Sequence, residues 1–180
     1  MKTITVPSIE QVDPESQSMF EQMKKRMGKV PNLYATMGYS SHGLKGFIDF
    51  ETALSKGVFT GKQREAIALT VSEINHCDYC LAGHTAMAVR NGLSIEDTLK
   101  IRSGGIEDKK LDAIIKLSKS IIDNKGHAED QYLENFYSAG FDEGALMELI
   151  GFISLRIFTN YVFAATNIPI DYPLAPILTE

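Results

Sequence analysis

The chain has 180 residues, 44% of them hydrophobic and 23% charged, and carries a net charge of −5. That length holds one domain with a full hydrophobic core. The acidic balance, with no long Lys/Arg run, excludes a nucleic-acid-binding role, which needs a basic face against the phosphates.

The elements in chain order are nearly all helical. Asp13 followed by Pro14 predicts an N-cap and first helical position, for a helix running toward Met27. Val30-Pro31 breaks it. A short turn or helix over residues 32–37 and a helix over about 41–56 come next. Thr60 and Gln63 form a capping-box pattern ahead of a helix ending near Asn75. The next starts around residues 76–78 and stops at Asn91-Gly92, a C-terminal signature. Ser94 with Asp97 opens a short helix ended by Gly104-Gly105. Residues 107–124 are amphipathic, with Leu111, Ile114, Ile115, Leu117, Ile121 and Ile122 on one broad face. Gly126 closes that helix, one over 128–139 stops at Gly140, and Asp142 caps the longest, about 143–166. Pro169, Pro173 and Pro176 mark an irregular tail, and residues 3–6 are the one strand candidate.

The expected fold is therefore all-α, a helical bundle forming a single domain over 1–180. Its redox core lies at about 60–92. The last helix is apolar on nearly every side, which predicts a long buried helix at the centre of the core, or one that also faces a second subunit. Homo-oligomerisation is expected on that ground. Residues 146–165 include Glu148, Arg156, Thr159 and Asn160, so no membrane span is expected. Residues 1–18 have Lys2 but no apolar stretch, so no signal peptide is expected and the location is cytoplasmic. In that compartment a disulfide is transient and catalytic more often than structural.

Both cysteines of the chain lie in Cys77-Asp78-Tyr79-Cys80-Leu81-Ala82-Gly83-His84. At the start of a helix, residues i and i+3 share a face with Cα atoms roughly 5 Å apart, within disulfide range. A loop of about four residues gains only about 2 kcal/mol from closure, against nearly 5 for a hundred-residue loop. Easy closure with weak stabilisation suits a redox switch. His84 is at i+4 from Cys80, and helical side chains lean toward the N-terminus, so its imidazole reaches back over Cys80. Cys77, two turns away, feels the positive end of the helix dipole, which favours it as the more acidic thiol. Lowering a thiol pKa from about 8.5 to 6.5 yields a net gain near threefold once lost nucleophilicity is counted. Proton transfer by His84 is the larger lever, typically about 10²–10⁴. Glu65 and Glu73 on the preceding helix both qualify as its carboxylate partner, and spacing does not choose between them.

Other chemistries compete for these residues. Cys77, Cys80 and His84, with Glu65 or His76, supply a possible zinc ligand set, but only one ligand pair is present where structural sites show two. Covalent haem attachment needs His directly after the second Cys, and Leu81 stands there. A thioredoxin fold needs strands. No cofactor or metal is expected. His76 reads as a cap residue, and His42 and His127 as structural. Arg156 and Asn160 read as satisfying buried polar groups, with an anionic substrate as the alternative for Arg156.

With these residues in place, the chain resembles the alkyl hydroperoxidase D (AhpD-like) branch of the carboxymuconolactone decarboxylase family, in its peroxidase-related subgroup. Val30-Pro31-Asn32-Leu33, Arg64-Glu65, Ala68, Val71-Ser72-Glu73, the Cys77–His84 segment, Gly126-His127, Ala139-Gly140-Phe141 and Thr159-Asn160-Tyr161 carry the likeness. The resemblance implies an all-helical, oligomeric fold. It implies Cys80 as the peroxidatic thiol, Cys77 as the resolving one, and Glu65 joined with His84 in a proton relay. The substrate implied is a hydroperoxide and the partner a dithiol or protein reductant, met by a more exposed Cys77. Protein disulfide exchange or redox sensing is the alternative. Tyr79 stands where some members have a histidine, and Phe163-Ala164 where many have Asn-His. The decarboxylase branch lacks the cysteine pair.

Overall fold

The computed structural model describes residues 4–178. Its described residues fold into nine α-helices: α1 (Pro14–Met27), α2 (Asn32–Met37), α3 (Ser41–Leu54), α4 (Gly61–Ile74), α5 (Asp78–Arg90), α6 (Ile95–Ser103), α7 (Lys109–Asp123), α8 (Asp130–Ser138) and α9 (Glu143–Thr166). There is no strand among them. The strand candidate at 3–6 is a correction: Thr3 lies outside the described residues, and Ile4, Thr5 and Val6 form no ladder.

Local chemistry sets the helix ends. The Asp13 carboxylate accepts from Ser16 N–H at 2.8 Å, with Pro14 at the first position, where a missing N–H costs nothing. Gln63 accepts from Thr60 N–H at 2.8 Å to close the capping box of α4. Ser94 and Asp97 do the same for α6, and Asp142 accepts from Ala145 N–H at 2.8 Å for α9. Gly104 and Gly140 turn at φ +102° and +91°, a region costly for residues with a Cβ.

The centre of the fold is α4. Ala66, Ile67, Ala68, Leu69, Thr70, Val71 and Ser72 are all buried, because α5, α6, α7 and α9 surround it. This corrects the expectation for α9. Its Leu149, Phe152, Ile153 and Leu155 enter the core, but Met147 and Tyr161 are 60% and 62% exposed, with Ile150 and Phe158 exposed on the same side. Helices α2, α3, α4, α5 and α7 pack on α9 and leave the side of Met147, Ile150, Phe158 and Tyr161 uncovered, so its all-round apolarity is half used. By length and composition this helix could cross a membrane, yet the flank packed in protein carries Arg156, Thr159 and Asn160.

The tail beyond α9 is irregular, as its prolines imply, but fastened. Ile168 is buried. Asn32 Nδ2 donates to Pro169 O at 3.0 Å, and Lys29 pairs with Asp171 at 2.8 Å. Arg102 ties Glu73 to the tail, with Nε 2.6 Å from Glu73 Oε2 and Nη1 2.6 Å from Pro176 O. The tail thereby lies across the start of α5.

Candidate active site

The link from α4 to α5 is one tight turn. His76 adopts φ +51°, exposed to solvent, and Cys77 N–H then donates to Ser72 O at 2.9 Å. The cap of α5 is Cys77 itself, not His76: its Sγ accepts from Cys80 N–H at 3.3 Å. Both sulfurs therefore belong to one helical turn.

Both are buried, and in the order opposite to expectation. Cys77 is 1% exposed and Cys80 4%. Cys77 packs under the first turn of α5, whereas Cys80 opens onto a cavity of about 140 Å³ shared with Glu65, His84, Tyr79, Gly83 and Tyr172. Of the two thiols, only Cys80 lines this cavity.

Electrostatics follows the same order and corrects the dipole argument. The Cys80 thiol is lowered to about 7 by a hydrogen bond from the Cys77 thiol, with the His84 charge and the Asn160 and Thr159 side chains acting the same way against the cost of burial. Cys77 is pushed well above the usual thiol range, because it donates that bond and is itself desolvated. When Cys80 ionises, its thiolate accepts the hydrogen bond from Cys77, which keeps its proton.

Helices α4 and α5 cross so that Glu65 Oε2 meets His84 Nδ1 at 2.8 Å, with the two side chains only 13% and 19% exposed. An Nδ1–H donated to the carboxylate leaves Nε2 as the free ring nitrogen. Glu73, the other candidate, is engaged by Arg102 instead. Asn160 holds the far side of the turn. Its Oδ1 accepts from Asn75 Nδ2 at 2.9 Å and its Nδ2 donates to Ser72 Oγ at 3.3 Å. The Arg156 charge is taken up by Glu51, Nη2 to Oε1 at 2.7 Å, which leaves little for a substrate anion. His42 and His127 are exposed and remote from this cavity.

Several contacts at the site escaped sequence reasoning. Tyr79 donates its hydroxyl to Asp171 at 2.5 Å and accepts from Leu33 N–H at 3.1 Å. Tyr172 stands edge-on to it, ring centroids 5.7 Å apart, and walls the cavity. The only sequence signal was that a buried tyrosine hydroxyl needs a partner. Glu51 and Tyr34 gave no signal. No group of three or more His, Cys, Asp or Glu side chains among the described residues is placed to hold a metal ion.

An all-helical protein with a thiol, an imidazole and a carboxylate lining one cavity, and a second thiol on the same helical turn, is the class this geometry defines. The sequence model of the carboxymuconolactone decarboxylase family matches residues 43–103, the stretch from α3 to α6 that contains all four side chains. The chain has the AhpD-like helical fold. An uncharacterized peroxidase-related protein from Silicibacter sp. TM1040 is 23% identical, with 93% of this chain and 92% of that one covered and a TM-score of 0.78. The alkylhydroperoxidase AhpD core of an uncharacterized peroxidase-related protein from Ralstonia eutropha JMP134 is 16% identical, over 92% and 90%, with a TM-score of 0.82. The debrominase Bmp8, as the C82A variant with 2,3,4-tribromopyrrole, is 18% identical, over 95% and 92%, with a TM-score of 0.79. A search of the curated proteins gives no match.

Proposed function

We propose that the protein is a thiol peroxidase that reduces hydroperoxides through a Cys77–Cys80 dithiol/disulfide cycle. The observation that carries this reading is the convergence on one cavity of an acidic Cys80 and a His84 held by Glu65, with Cys77 poised on the same turn. Cys80 passes its proton to His84, and the thiolate attacks the outer oxygen of the hydroperoxide. The O–O bond breaks, and the leaving alkoxide takes that proton from the imidazolium to become an alcohol. Glu65 stabilises the imidazolium in between. Cys80 is now a sulfenic acid. The Cys77 sulfur attacks it, a disulfide forms, and the hydroxyl leaves as water with the Cys77 proton. A dithiol or protein reductant then takes up the disulfide oxidation and restores both thiols.

The reading places the enzyme in the cytoplasm, away from nucleic acid and membrane. The burial of both sulfurs works against disulfide exchange with the flat face of a protein partner and favours a slender thiol arm entering beside Cys80. The test is direct. One equivalent of hydroperoxide added to reduced protein consumes two thiols, and the rate rises about tenfold per pH unit below about 7, then levels. The sign follows from Cys80, whose thiolate fraction grows as pH rises through its lowered pKa. Thiols that persist after peroxide addition end the proposal.

The same reading includes self-association. The exposed side of α9 presents Met147, Ile150, Phe158 and Tyr161 beside the exposed Phe50, with no charged side chain among them. A second copy offering the same stripe across a two-fold axis matches it. Light scattering is expected to give a multiple of the 19.9 kDa chain mass, reverting to one chain mass in Tyr161→Glu. A monomeric wild type removes this part.

A further inference from the structure

Beside the Cys80 cavity, between α1 and α3, runs a second depression of about 460 Å³, more than three times larger. Met19, Met23 and Met27 stand along it at i, i+4 and i+8 on α1, facing Phe47 and Ile48 on α3. Such a row is one face of a helix, and methionine adapts its shape to irregular apolar ligands. Met27 is 48% exposed at the end of α1. Lys45 and Asp49 pair with each other, and Glu15, Arg26 and Glu51 also line the groove, so its apolar part is the methionine row with Phe47 and Ile48.

The two spaces adjoin. Met27, Tyr34 and Glu51 stand in the walls of both. The Cys80 cavity alone accommodates a hydroperoxide group with a few carbons, while apolar ligand sites generally run to about 300–1,000 Å³. On the peroxidase reading above, we infer that the groove between α1 and α3 is the subsite for the apolar organic part of the substrate. The preferred substrates are then long-chain alkyl hydroperoxides, with the reacting oxygens at Cys80 and the hydrocarbon chain along the methionine row.

The experiment measures thiol loss in the reduced full chain with hydrogen peroxide and a series of straight-chain alkyl hydroperoxides, alongside calorimetric titration with 1-decanol as an unreactive chain. Full burial of a methylene corresponds to about fourfold in kcat/KM, so a groove open on one side gives about twofold per methylene until it is filled. Met19→Lys flattens this dependence and abolishes decanol binding, whereas Met19→Leu, which keeps the wall apolar, retains both. Rates independent of chain length, or a dependence that survives Met19→Lys, overturn the inference. So does decanol binding that requires an assembly of chains to dissociate, which would make the groove an interface. If no hydroperoxide of any length consumes thiols while decanol still binds, the peroxidase reading falls and with it the substrate assigned to the groove.

Discussion

Cys80→Ser is expected to lower the rate constant for peroxide-dependent oxidation by at least about a thousandfold, since a serine hydroxyl supplies no nucleophile at neutral pH and losing the attacking atom removes the step outright. Cys77→Ser separates the two sulfurs. Its Cys80 still attacks, but oxidation stops at the sulfenic acid, which a sulfenic-acid trap detects by mass, and turnover with a reductant ceases. In Cys77→Ala, which lacks the donor that a serine hydroxyl would keep, the pH at which the first step levels moves above 7, because the foremost cause of Cys80 acidity is the hydrogen bond from the Cys77 thiol. Stopped-flow pH profiles of the three variants check these outcomes. Equal rates in wild type and Cys80→Ser would remove Cys80 from the chemistry, and an unmoved profile in Cys77→Ala would assign the acidity to His84, Asn160 and Thr159 instead.

His84→Gln carries the second large effect. Proton transfer by a positioned imidazole contributes typically about 10²–10⁴-fold, so a loss of about a hundredfold or more in kcat/KM is expected. The loss is not uniform across substrates. A poor, strongly basic alkoxide leaving group needs the proton most, and a peracid, whose carboxylate leaves unaided, needs it least. The ratio of alkyl hydroperoxide to peracid rates therefore falls in His84→Gln. Glu65→Gln keeps the contact to Nδ1 but removes the negative charge that stabilises the imidazolium, and the same ratio falls by a smaller factor of about ten. The two rates declining in parallel in His84→Gln would show the ring to be structural.

Much of this was legible locally. Asp13-Pro14, Thr60 with Gln63, Ser94 with Asp97 and Asp142 each solve a helix terminus within a few residues, so no tertiary knowledge was needed to read them. The cysteine pair on one turn was legible for the same reason. What escaped was decided by how helices cross. Glu65 and Glu73 sit on one helix, and only the approach of α4 to α5, and of Arg102 to α4, assigns one to His84 and the other to the tail. The dipole argument for an acidic Cys77 failed because a buried thiol that donates to its neighbour resists ionisation more than a helix terminus assists it. The apolarity of α9 was plain in the sequence, but the flank that neighbouring helices reach was not. Asp171 is far from Tyr79 along the chain, and no spacing rule connects a tail carboxylate to a phenol.

The sulfur of Cys77 has two occupations that exclude each other. As a thiol it receives the N–H of Cys80 and finishes the first turn of α5. Once bonded to its neighbour it is a poorer acceptor, and that amide loses its companion. On the peroxidase reading, oxidation therefore weakens the cap of α5 two residues before Tyr79, whose hydroxyl holds Asp171 of the C-terminal strap.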